Sequence, residues 1–114
     1  MADTIFGKIA TGEIAADLVY EDDDLVAFRD LHPQAPTHIL VIPRKPIPSL
    51  DQAGDDDALL LGRLMLAAAE IARREGIAEH GYRTVINCNA GGGQTVYHLH
   101  IHLIGGRPLQ WPPG

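Results

Sequence analysis

Residues 98–106 read HLHIHLIGG. Strict alternation of histidine with apolar residues leaves few structural solutions. Successive side chains of a strand point to opposite faces, and residues two apart share a face. The segment therefore predicts a strand with His98, His100 and His102 on one side and Leu99, Ile101 and Leu103 turned into a core. A helix would scatter the three imidazoles around its circumference. Gly105 and Gly106 mark where the run ends. A chain built around this segment must pack one side of a sheet and keep a row of imidazoles on the other.

The remaining segments supply the partners. DLVYE (17–21) and LVAFRD (25–30) read as strands joined by a solvated acidic turn, Asp22 to Asp24. HILVIP (38–43) is a third strand, stopped by Pro43; it lies between the proline-fixed connection HPQAPTH (32–38) and the loop KPIPSL (45–50). YRTVINCN (82–89) is a fourth, and the glycine loop AGGGQT (90–95) leads from it into the histidine strand. Asp3 is the expected cap of a short N-terminal helix over 4–10, closed by Gly12. Asp55 to Glu75 is the one long helix, with acidic residues at its start, Arg73 and Arg74 in its last turn and Gly76 as its stop. Helix, strands, helix, strands is the order of an α+β domain with a mainly antiparallel sheet of about five strands. A length of 114 residues suits one domain.

The long helix predicts more. Its polar residues Arg63, Glu70 and Arg74 form one narrow stripe, while Leu59, Leu60, Leu61, Leu64, Met65, Leu66 and Ile71 cover most of the rest. A surface helix needs apolar residues on one stripe only. The excess predicts a second cover, most simply another copy of the chain.

Charge and composition narrow the partners. A net charge of −6 argues against a nucleic-acid polymer or an anionic membrane, though one nucleotide can bind a local site in an acidic protein. The single cysteine, Cys88, permits no intrachain disulfide. The apolar run Leu59 to Ala69 is too short to cross a bilayer, and MADTIFGKIATGE lacks the pattern of a secretory leader. The expectation is a cytoplasmic protein with no membrane association.

Three kinds of chemistry could use the imidazole row. Metal binding fits poorly, because the outer histidines lie about 13 Å apart at ~3.3 Å per residue, and no further ligands stand at a suitable spacing. The expectation is no metal. Three structural histidines would leave the row without a reason. Nucleophilic catalysis fits best: histidine can attack phosphorus covalently, provided its tautomer is fixed and neighbours supply hydrogen bonds or protons. GGGQT (91–95) offers backbone N–H groups for an anion and glycines that permit close approach.

HLHIHLI matches the histidine triad motif, His-φ-His-φ-His-φ-φ with φ apolar. DTIFGKI, FRDLHPQAPTHILVIP, GYRTVIN, GGQTVYHLHIHLIGGR and WPPG resemble the Hint branch, the histidine triad nucleotide-binding proteins, over almost the whole chain. The resemblance implies one HIT-like domain over 1–114, a homodimer with a continuous sheet, and no metal or other cofactor. It implies a purine nucleoside phosphoramidase that cleaves the P–N bond of adenosine or guanosine 5′-phosphoramidates through a nucleotidyl-histidine. The purine nucleoside monophosphate would be product and ligand. A dinucleoside polyphosphate hydrolase and a nucleotide-binding adaptor are the alternatives.

By the same resemblance His100 is the nucleophile, His102 bonds the phosphate, His98 orients His100 through its backbone carbonyl, and His38 supports the triad from the adjacent strand. Asn87, Gly93, Gln94 and Thr95 would line the phosphate, Asp30 would bind the ribose hydroxyls, and Ile5, Phe6, Ile9, Phe28 and Leu31 would wall the base. Three departures stand out. Thr95 replaces a common serine, Arg29 a common histidine beside the ribose aspartate, and CNAGGG lacks an acidic residue found in some relatives. Arg29 is therefore expected at the nucleotide, where it would alter base or leaving-group preference. On the residues alone, Asp30 could also be a turn cap, His38 an ordinary strand position, Asn87 a strand end, and Phe6 and Ile9 plain core. Trp111 reads as a packing anchor for the tail, and Arg44 and Lys45 as solvated.

Overall fold

The computed structural model describes residues 4–114. Helix α1 (Ile5–Thr11) is followed by strands β1 (Leu18–Glu21), β2 (Leu25–Arg29) and β3 (Thr37–Pro43), helix α2 (Ala58–Arg74), and strands β4 (Tyr82–Val85) and β5 (Ile101–Gly105). The strands form one sheet in the order β1-β2-β3-β5-β4, and every pairing is antiparallel. β3 and β5, distant in sequence, thus lie side by side in the interior of the sheet and bring His38 to the histidine segment.

Strand parity divides the core in two. Leu25, Ala27, Ile39, Val41, Leu99, Ile101 and Leu103 face α2, which buries Leu64, Ala67, Ala68, Ile71 and Ala72 against them. Those helix positions have the i, i+3, i+4, i+7, i+8 spacing of one stripe. On the opposite face Val26, Phe28, Leu40 and Ile42 pack with Ala10, Phe6 and Ile9 of α1. The imidazoles lie on this second face.

The helix ends have local causes. The Thr4 hydroxyl accepts the Gly7 N–H at 2.9 Å and caps α1. The expected cap, Asp3, lies outside the described residues. A tight turn over Asp55–Asp57 precedes α2. At the other end Gly76 adopts φ 76°, its N–H reaches the Arg73 carbonyl, and the Ile77 N–H reaches that of Ala72. This double closure needs a residue tolerant of the left-handed region, hence glycine. Ile77 then folds back against Gly105, where a Cβ would stand 2.7 Å from its Cδ1.

Several expectations change. β4 stops at Val85 rather than running to 89. The hydrogen-bonded ladder of β5 begins only at Ile101. His98 to His100 keep the alternation without belonging to the ladder, because the Leu99 N–H bonds the Ile47 carbonyl of the proline loop at 2.7 Å. Arg44 is not simply solvated: it donates to the carbonyls of Ala10 (2.6 Å) and Asp22 (2.8 Å), tying the end of α1 to the β1–β2 turn. Lys45 bonds Asp57 at 2.6 Å. Trp111 is 82 % exposed, so within one chain it anchors nothing. Leu64 is fully buried inside the chain, whereas Leu59 and Leu66 are more than two-thirds exposed and Met65 is also exposed.

Candidate active site

Four imidazoles lie along β3 and the histidine segment, His38 beside His102 and His102 beside His100, with His98 further along at Pro43. Each hydrogen-bond partner fixes a tautomer. A carbonyl only accepts, so His100, with Nδ1 at 2.7 Å from the His98 carbonyl, carries its proton on Nδ1 and presents Nε2 as a bare lone pair. His98 donates from Nε2 to the Pro43 carbonyl at 2.7 Å. His38 accepts the Gln34 N–H at Nδ1 (3.0 Å), so its proton sits on Nε2 and is given to Nδ1 of His102 at 2.9 Å. His102 must then hold its own proton on Nε2. The site therefore pairs an unprotonated nitrogen on His100 with an N–H donor on His102, their ring centroids 5.0 Å apart.

Burial sets the charge state. It pushes the His100 pKa down, against the opposing pull of the His98 carbonyl and the Asp30 carboxylate. His102 falls to about 4, through burial first and then the neighbouring His100 and His38. Burial also lowers His98. At neutral pH these rings are therefore uncharged, which leaves a bare nitrogen on His100 and a neutral N–H donor on His102.

Asp30 follows β2 and does two things at once. Its Oδ1 accepts the His32 N–H at 2.8 Å, which is the turn-capping role. Its Oδ2 lies 3.4 Å from Nε2 of His38. The apolar wall lies beside it: the Phe6 ring meets His100 edge-on at 4.9 Å and Phe28 at 5.5 Å, with Ile9 in the same cluster. Ile5 and Leu31, expected at the same wall, are exposed.

Arg29 does not join the site. It forms a two-pronged ion pair with Glu75 at 2.9 and 3.0 Å, at the end of α2. Neighbours on a strand face opposite ways, so Arg29 lies on the helix side and Asp30 on the imidazole side. The departure noted at position 29 therefore lies on the opposite face of the sheet from the imidazoles.

The glycine loop also differs from expectation. The N–H groups of Gly92, Gly93 and Gln94 bond carbonyls of Asn89 and Ala90 within the loop, so they form no open cradle. The Gln94 side chain is buried and fully engaged: Oε1 accepts the Asn89 N–H at 2.8 Å, and Nε2 donates to Pro48 and Val96 carbonyls at 2.8 and 3.1 Å. Gly93, at φ 87°, lies next to Asn87, whose Nδ2 is 4.0 Å from where a Cβ would project. Thr95 is exposed at the loop's end. The carbonyls of Pro43, Ile47 and Pro48 hold the imidazole segment and its loop; as backbone groups they leave no signal in residue types.

Asp30, His38 and His102 place one ligand-type atom each within 4.8 Å of one another. The donor chemistry does not fit a cation. His38 Nε2 carries the proton demanded by the Gln34 N–H at Nδ1, and a metal would need that nitrogen bare.

Residues 11–109 match the HIT domain. The chain belongs to that family. It is 63% identical to a HIT-like protein of Synechococcus elongatus, over 98% of this chain and 97% of the relative. It is 55% identical to the purine nucleoside phosphoramidase of Escherichia coli K12, over 94% and 90%. A HIT family hydrolase from Legionella pneumophila superposes with a TM-score of 0.96 at 53% identity, over 98% of this chain and all of that one.

Proposed function

We propose that the protein is a purine nucleoside phosphoramidase acting through a covalent nucleotidyl-His100. The observation that carries this is the fixed tautomer of His100: its Nδ1–H is held by the His98 carbonyl, so Nε2 is bare in a buried, uncharged setting. The relationship to the E. coli enzyme supports the substrate class.

His100 Nε2 attacks the α-phosphorus, a P–N bond forms to the ring, and the substrate's own P–N bond breaks. The amine leaves with that electron pair and takes up a proton. Water then attacks the same phosphorus, the bond to His100 breaks, and the ring recovers its lone pair. The proton taken by the amine and the one surrendered by water balance over the cycle. The Nε2–H of His102 bonds the phosphate oxygens, Asn87 and the Thr95 hydroxyl assist it, and Asp30 receives the ribose hydroxyls. Phe6, Ile9 and Phe28, with Ile5 and Leu31 at the mouth, cover the base. Positioning supplies much of the rate.

The assembly is a homodimer joined along edge strand β4 and the outward face of α2. The exposed Leu59, Met65 and Leu66 on that helix support it. The protein acts in the cytoplasm on single nucleotides; no helix among the described residues is long and apolar enough to cross a membrane. Side-by-side turnover of adenosine 5′-phosphoramidate and a diadenosine polyphosphate tests the substrate class. Preference for the P–N substrate is expected, and preference for the polyphosphate would overturn it.

A further inference from the structure

The loop between β4 and the imidazole segment contains one residue in a costly conformation. Asn89 has φ 63° and ψ 177°. That combination of a positive φ with an extended ψ is occupied almost only by glycine, and other residues persist there only when their surroundings hold them. Three hydrogen bonds do so here. The Asn89 N–H donates to Oε1 of Gln94 at 2.8 Å. The Asn89 carbonyl accepts the N–H groups of Gly92 (3.1 Å) and Gln94 (3.0 Å). Gln94 is itself fixed from behind by the Pro48 and Val96 carbonyls.

We propose that Gln94 is a positioning residue which holds Asn89 in its strained conformation and so sets the place of Gly93 and Thr95 against the phosphate. This deepens the function proposed above and rests on it. Gln94 makes no contact with phosphate; its amide is fully used by the loop. The segment from the end of β3 into the proline loop receives the His98 ring at Pro43, the Leu99 N–H at Ile47 and the loop's brace at Pro48. The phosphate loop and the nucleophile's support are thus referred to one short segment, which keeps their separation constant.

The chemistry of the brace dictates the variants. Gln94→Glu keeps the acceptor for Asn89 but turns the donor toward two carbonyls into an acceptor, so the brace breaks. Gln94→Ala removes it altogether. Asn89→Gly removes the strain that the brace opposes, because glycine accepts this conformation without cost. The two positions should therefore be coupled, with the glycine suppressing the defect of the alanine.

The test measures binding of AMP and of adenosine, with thermal melting, for the wild type, Gln94→Ala, Asn89→Gly and the double variant. Gln94→Ala is expected to weaken AMP about tenfold or more and adenosine by less than about twofold, since only AMP carries the phosphate. The double variant is expected to recover most of the AMP affinity. Equal losses for AMP and adenosine, or additive effects of the two substitutions, would overturn the proposal. If the wild type binds neither ligand, the nucleotide site itself fails, a result distinct from failure of the brace. If Gln94→Ala does not fold, Gln94→Glu and the double variant give the same comparison.

Discussion

Replacing Asp30 by asparagine separates its two roles with almost no change in shape. In the wild type Oδ1 is taken by the His32 N–H and Oδ2, on a side chain 20% exposed, faces His38 and the open site. Asparagine can keep its oxygen on the His32 N–H, so the turn survives. Its NH2 then occupies the Oδ2 position, where it cannot accept from a ribose hydroxyl and meets the Nε2–H of His38 as donor against donor. A hydrogen bond to a charged group contributes about 1.5–3 kcal/mol. Removing the 2′-hydroxyl from AMP should then weaken binding to the wild type by roughly tenfold to a hundredfold. For Asp30→Asn the same deletion should matter little. The assay compares inhibition constants of AMP and 2′-deoxy-AMP on both proteins, with melting temperature as control. An unchanged ratio of the two constants, or a large fall in melting temperature with that ratio preserved, refutes the ribose role and leaves only the turn cap. Asp30 also raises the His100 and His102 pKa values, so the variant's acid limb should move to lower pH.

Four other outcomes follow. His100→Ala should lose several powers of ten in turnover and keep nucleotide binding, while His98→Ala should lose far less because it retains the carbonyl that orients His100; steady-state rates and AMP titration decide this. His102 has its pKa lowered from 6.5 to about 4, so the unfolded chain binds the extra proton between those values; stability should be full above pH 6.5 and fall as pH drops toward about 4, read by urea denaturation across that range. Met65→Glu or Leu66→Glu should leave a folded monomer by light scattering, whereas Leu64→Ala, in the core, should cost about 2–5 kcal/mol of stability. Exhaustive chelation should leave the rate unchanged, because the proton on His38 Nε2 occupies the place a metal would need; loss of activity restored by one divalent ion would show otherwise.

Much of the fold was legible because strand parity and helix period are carried by residue types. β1, β2 and β3 begin and end within a residue or so of expectation, and Leu99, Ile101 and Leu103 of the histidine segment enter the core as their alternation predicts. Where the structure departs from residue-type reasoning, the causes are physical. Arg29 was expected at the nucleotide by comparison with a histidine there, yet parity alone puts it with Leu25 and Ala27, facing α2. Resemblance puts Gln94 at the phosphate and backbone N–H groups suggest the same for the glycine loop; what residue types do not carry is that the Gln94 amide bonds Asn89, Val96 and Pro48, the last a partner 46 residues away. Arg44 looked solvated because its acceptors are backbone carbonyls brought in by the fold. Within the site, the imidazole row was visible in sequence; the tautomers were not, since they depend on which carbonyl or N–H each ring meets.

The central claim is attack by His100 on phosphorus, and the stereochemical course at phosphorus tests it most directly. A nucleoside 5′-phosphoramidate made chiral at phosphorus with sulfur would be hydrolysed in isotopically labelled water and the configuration of the product determined. Two successive in-line displacements, first by Nε2 of His100 and then by water, each invert the centre. The account predicts net retention. Net inversion would mean a single direct attack by water, and would contradict it.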